Sequence, residues 1–220
     1  MMSQNLDLKA VERRAWLSTF QDGLWDIFFG LMLAAGVVSD WLHSRGVPSL
    51  VRIPAYLSLF VLAGLVLWGG KHFITVPRLG RVAFSPTRKA RMRKLRLILL
   101  PALIVTGALW VLSSGWLGQP AWWGDFGWLA GSITVTLVYT TAFGLMAVFM
   151  NLPRLALYGV LDALPEILGV GLSRLAGSEA GFLIGNVFSA SVVLAVGVVI
   201  MVRFLHDYPA PGKELPQAHN

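Results

Sequence analysis

The sequence predicts an all-α integral membrane protein, a polytopic bundle of six transmembrane helices. Three observations carry this. Hydrophobic residues make up 56% of the 220-residue chain and charged residues only 13%, about half the usual charged share of a soluble domain. The mean hydropathy is +0.68. The apolar residues fall into six runs near the length needed to cross a bilayer, about 20 residues. Disorder, collagen and coiled coil are excluded by the same composition. Alternating outer-membrane strands are excluded by the unbroken character of the runs.

The six runs cover 19–39, 51–70, 97–112, 128–150, 155–172 and 181–202. The first contains Asp22 and Asp26. The fifth contains Asp162, Pro165 and Glu166, so it either spans or lies at the interface, and spanning is preferred because acids in a span can face the bundle interior. Residues 1–18 form a basic N-terminal segment, 19–204 the membrane domain and 205–220 a tail. The start of the chain carries Asp7 and Glu12 without an apolar stretch after its first charges, so no cleaved leader is expected.

Charge sets the orientation. With six spans, the N-terminus, the segments 71–96 and 151–154 and the tail share one side, which holds 15 of the 18 Lys and Arg residues; Arg45, Arg52 and Arg174 lie on the other. The positive-inside rule then places both termini in the cytoplasm of a multi-pass cell-membrane protein, an inner membrane in a bacterium. Trp41, Trp116, Trp122, Trp123 and Trp128 gather at the opposite face, as an interfacial belt of amphipathic rings does.

Two segments resemble each other. Asp22-Gly-Leu-Trp-Asp26 and Tyr158-Gly-Val-Leu-Asp162 each place a glycine three residues before an aspartate. Each leads through a span, a polar loop and a second span to a cation, Lys71 or Arg203, and then to proline. This reads either as a parallel internal repeat of helices 1–2 with helices 5–6, known in transporter folds, or as chance similarity between Gly/Leu-rich helices.

The acids are the candidate chemistry. Asp22 and Asp26 are four apart, as are Asp162 and Glu166, which on a helix means one face. Glycines on both stripes favour close packing. If the stripes meet, four carboxylates converge. A buried carboxylate lacking a partner takes a proton, while one beside a cation stays charged. Pro165 leaves the Leu161 carbonyl without its helical hydrogen bond, and Asn186 offers another oxygen. Asp22, Asp26, Asp162, Glu166 and Asn186 are therefore the candidate cation or proton site, with the metal identity open. The plainer reading pairs the acids with Arg13, Arg14, Arg154 or the basic loop.

That loop, 71–96, holds nine Lys and Arg residues and no acid. A short hairpin is expected over 74–84 around Pro77 and Gly80, followed by a basic helix capped at Ser85-Pro86. Arg78, Arg81, Arg88, Lys89, Arg91, Arg93, Lys94 and Arg96 are candidates for anionic lipid headgroups or a protein partner. No nucleic-acid motif accompanies them, so no nucleic-acid partner is expected. A homodimer or larger membrane complex is plausible for so small a chain.

No enzyme signature is present. The chain has no cysteine. His43, His72, His206 and His219 are not spaced as metal ligands, and no nucleotide-binding or hydrolase motif occurs. No cofactor is expected. The fourth run carries Ser132, Thr134, Thr136, Tyr139, Thr140 and Thr141. These hydroxyls can bond back to their own helix, or Thr134, Thr141 and Gly144 can line a polar path. The leading expectation is a small transporter or permeation protein, or the membrane subunit of one. The competing class is a non-catalytic scaffold, assembly factor or sensor partner presenting the basic loop.

Overall fold

A computed structural model describes residues 20–79, 90, 93–95, 97–98, 100–101, 104–105, 123–176 and 180–209. All elements among them are helical: α1 (Leu24–Ser44), α2 (Ser49–Leu79), α3 (Trp123–Met150), α4 (Arg154–Ala176) and α5 (Ala180–Asp207). Four helical stretches are long and apolar enough to cross a membrane: Leu24–Ser44, Ser49–Leu79, Ser132–Met150 and Gly181–Asp207. At 1.5 Å per residue, the 21 residues of α1 reach about 30 Å, the thickness of the hydrocarbon layer. The outer surfaces of these helices are apolar, with Leu50 84% exposed and Ile184 68% exposed. A soluble monomer does not present such continuous apolar faces. Four apolar helices of this length are what a multi-pass membrane protein requires.

Several sequence expectations change. The third run, 97–112, lies mostly outside the described residues. The fifth run is a helix, α4, which carries Asp162, Pro165 and Glu166 along its length. The first run begins later than expected: the helix starts at Leu24, so Asp22 precedes it and does not share a helical face with Asp26. The second run does not stop at Gly70. It continues through one π-helical turn, Lys71–Thr75, into Val76–Leu79. Where a hairpin was expected, residues 74–79 are thus helical. Pro77 is tolerated there, in the first turn after the π segment. The remainder of the expected hairpin and the Ser85-Pro86 cap lie outside the described residues.

The chain divides into two units, one comprising 1–84 and 190–220 and the other 85–189. In the first, α1 and α2 form a hairpin. Gly46 closes it at a φ of 71°, with its N–H on the His43 carbonyl and the Val47 N–H on that of Leu42. This double bond pattern ends a helix sharply and favours glycine. Pro48 then precedes α2. The later part of α5 packs on the start of α1.

In the second unit α3 and α4 form the corresponding hairpin. Asn151 takes the left-handed position, φ 59°, and the Leu152 N–H returns to the Ala147 carbonyl. Asparagine is the residue after glycine best suited to that conformation. The facing stripes are Phe143, Ala147 and Met150 on α3 and Leu155, Tyr158 and Ala163 on α4, all buried.

Candidate functional site

In the first unit the site is built by an interruption. The chain turns at Asp22-Gly23 before α1 begins. Gly23 has a φ of 72°, and a Cβ there would lie 2.3 Å from the Gly197 carbonyl oxygen and 2.7 Å from the Met201 nitrogen. Only glycine meets both demands. The turn directs the Asp22 carboxylate inward, where it is completely buried.

Three donors meet that carboxylate. The Leu24 N–H donates to Oδ1 at 3.2 Å, capping the open end of α1. The Lys71 ammonium donates to Oδ2 at 2.6 Å. The Thr75 hydroxyl donates to the same oxygen at 2.5 Å. Lys71 and Thr75 sit at the two ends of the π turn, a helical irregularity often found at functional positions. The ammonium also lies 5.7 Å from the Phe20 ring centroid, within cation–π reach. Asp26, one turn into α1, is also completely buried. Gly197 gives it room, since a Cβ there would come within 3.0 Å of the Asp26 carbonyl carbon.

Asp22 thus has the plainer role foreseen for the acids, ion pairing, and its partner is the first cation of the expected loop. Lys71 and Thr75 were missed as site residues. Lys71 was visible as the cation closing the second run, but only continuation of the helix past Gly70 makes it face Asp22. Nothing in the sequence marked Thr75.

Asp162, Glu166 and Asn186 belong to the second unit. Asp162 is 8% exposed, and its Oδ2 has no hydrogen-bond partner. Glu166 and Asn186 are half-buried. Pro165 does free the Leu161 carbonyl, but the Ser189 hydroxyl donates to it at 2.5 Å, so this oxygen is satisfied within the protein. Among the described residues, no three His, Cys, Asp or Glu side chains gather as a metal-holding group.

The basic candidates divide. The Arg78 guanidinium donates to the carbonyls of Ile74 and Tyr208, tying the end of α2 to the end of α5. Arg93 and Lys94 are exposed. Arg81, Arg88, Lys89, Arg91 and Arg96 lie outside the described residues. On α3, Thr140 bonds back to the Thr136 carbonyl at 2.7 Å, as foreseen. On the face of Thr134 and Thr141, Thr141 is exposed and a Cβ on Gly144 would meet nothing within 4 Å.

The chain matches no family model, no curated protein sequence and no solved structure.

Proposed function

We propose that this multi-pass membrane protein handles protons or small cations, as a transporter, a permeation protein or the membrane subunit of one. The observation that carries the reading is a set of ionisable groups, Asp22, Asp26 and Lys71, at the start of α1 and the π turn of α2. Both carboxylates are fully buried, in a helix pair whose outer faces suit lipid. Ionisable groups within membrane helices cost several kcal/mol and commonly mark ion or proton pathways.

Roles within the set differ. Asp22, held by three donors, positions α1 against α2. Asp26 is the group we assign to ion or proton exchange. On this reading α4 and the 97–112 segment complete a six-span bundle with both termini in the cytoplasm, and the 71–96 segment with its exposed cations meets anionic lipid headgroups.

A second reading has one observation in its favour. The saturation of Asp22 by its donors is what a structural lock requires, so the chain could serve as a scaffold with no flux. Reconstitution of the full chain into liposomes holding a pH-sensitive dye or, in parallel, a sodium-sensitive dye separates the two. Under an imposed membrane potential, proton or sodium flux above that of empty vesicles is expected, with its loss in Asp26→Asn. No flux in the unaltered protein, or full flux in Asp26→Asn, overturns the transport assignment.

A further inference from the structure

We propose that the second unit holds a site for one small monovalent cation, hydronium or sodium, between Asp162 on α4 and Thr136 on α3. The proposal rests on the ion-handling reading of the chain and names the ion class and a second ligand.

Among the described residues of this unit, two side-chain oxygens are sealed from solvent and lack a hydrogen-bond partner: Asp162 Oδ2 and Thr136 Oγ1. Buried polar groups are rarely left unmatched, and each exception calls for an explanation such as a bound ion or water. Here these two oxygens fall on facing stripes of one helix pair. On α3, Thr136 stands in line with Thr140, Phe143 and Ala147 at helical spacing, and Phe143 and Ala147 are buried. On α4, Asp162 continues the row Leu155, Tyr158, Gly159.

The register places them near each other. A Cβ on Gly159 would lie 2.9 Å from Phe143 Cβ and 3.4 Å from Thr140 Cα, so Gly159 sits opposite 140–143. The helices run antiparallel, so Asp162 falls opposite about residue 138, less than a helical turn from Thr136 at 1.5 Å per residue. The two oxygens do not bond each other directly. A guest that accepts the carboxylate's charge and the hydroxyl's lone pair satisfies both.

Asp162 also borders α5. Its neighbour Pro165 packs on Gly185, where a Cβ would come within 3.0 Å, and the Ser189 hydroxyl sits on the Leu161 carbonyl next to it. Asp162 therefore lies where α4 meets both α3 and α5.

Asp162 is the carboxylate here with an unmatched oxygen, and its one negative charge fits a monovalent ion. The titratable groups on these faces are few: Arg154, Tyr158 and Glu166 on α4, Tyr139 within 132–150 of α3, and none within 181–189 of α5. Divalent metals favour several carboxylates, and no such group is present among the described residues.

The test uses the purified full chain in detergent, measuring binding of radioactive sodium and, in parallel, proton uptake across the neutral pH range. The unaltered protein should bind sodium, or take up one proton if hydronium is the guest. Asp162→Asn should abolish whichever is seen. Thr136→Val, which keeps the side-chain shape, should weaken sodium binding about tenfold, the worth of one hydrogen bond to a charged group, or move the midpoint of proton uptake by about one pH unit. Thr136→Ser should restore it, and unchanged melting of the variants excludes misfolding. No binding of either ion in the unaltered protein, or equal binding in the Asp162→Asn or Thr136→Val variant, overturns the site. Binding lost in the variants without any flux in liposomes leaves the site and removes the transport reading. Flux lost in Asp26→Asn but intact in both second-unit variants does the reverse.

Discussion

Replacing Lys71 with methionine isolates the energetics of the first unit. The ammonium stands 2.6 Å from Asp22 Oδ2, and two unit charges at that distance attract by about 6 kcal/mol at an effective dielectric constant of about 20. Burial of the carboxylate costs several kcal/mol, so the net worth of the pair is small. The two quantities separate when one partner is removed. Lys71→Met leaves Asp22 buried with only the Leu24 N–H and the Thr75 hydroxyl. Such half-broken pairs lose about 3–5 kcal/mol, and the lower end applies because the Lys71 side chain is 22% exposed, so that water can reach Asp22 in its absence.

The double variant Asp22→Asn/Lys71→Met removes both charges and should recover most of that loss. Unfolding of the full chain in mixed micelles, followed by tryptophan fluorescence, gives the cycle. A coupling of about 2 kcal/mol is expected. A coupling within about 0.5 kcal/mol of zero, the scatter of independent sites, refutes the pair as the element that fixes α1 on α2.

Three further outcomes are expected. Gly23→Ala adds about 1 kcal/mol or more from its left-handed backbone and also drives a methyl into Gly197 and Met201, so it should fail to accumulate in the membrane; Gly36→Ala, with nothing within 4 Å, should be neutral or slightly stabilising in the same melting assay. Ser189→Ala leaves the Leu161 carbonyl unmatched and should cost about 1–3 kcal/mol, whereas in a Pro165→Ala background, where the helical N–H returns, the same change should cost under about 1 kcal/mol by micelle unfolding. The chain has no cysteine, so single cysteines report topology directly: Ser44→Cys should react with an impermeant maleimide added outside intact cells, and His206→Cys only after the cells are opened.

The sequence made the class of fold legible because bilayer thickness imposes a run length that no soluble helix needs. The turn at Gly46 was not singled out, although few residues accept its left-handed backbone. Helix ends inside the polar segments were not legible. Lys71-His-Phe-Ile-Thr-Val-Pro looked like the start of a loop because it combines charge, β-branched residues and proline. Propensity is overridden there by tertiary contact: Lys71 and Thr75 gain Asp22 only if the helix persists. Gly23 was read as a small residue on a helical stripe, although its conformation ends any helix and begins the next. The acids could be named from composition alone, but a partner 49 residues away could not.

That difference separates the two aspartates that looked equivalent four residues apart. Asp22 lies outside the helix, accepts three hydrogen bonds and has its charge matched, so protonating it must break an ion pair. Exchange through Asp22 would therefore loosen the α1–α2 hairpin at every turnover, whereas exchange at a carboxylate that is not the cap of a helix leaves the hairpin closed. An ion-handling protein built on this chain keeps the Asp22–Lys71 pair closed throughout its cycle and moves its ion at other groups. Under flux, the Asp22–Lys71 distance should stay fixed, and a cross-link that locks the ends of α1 and α2 together should leave the flux unchanged.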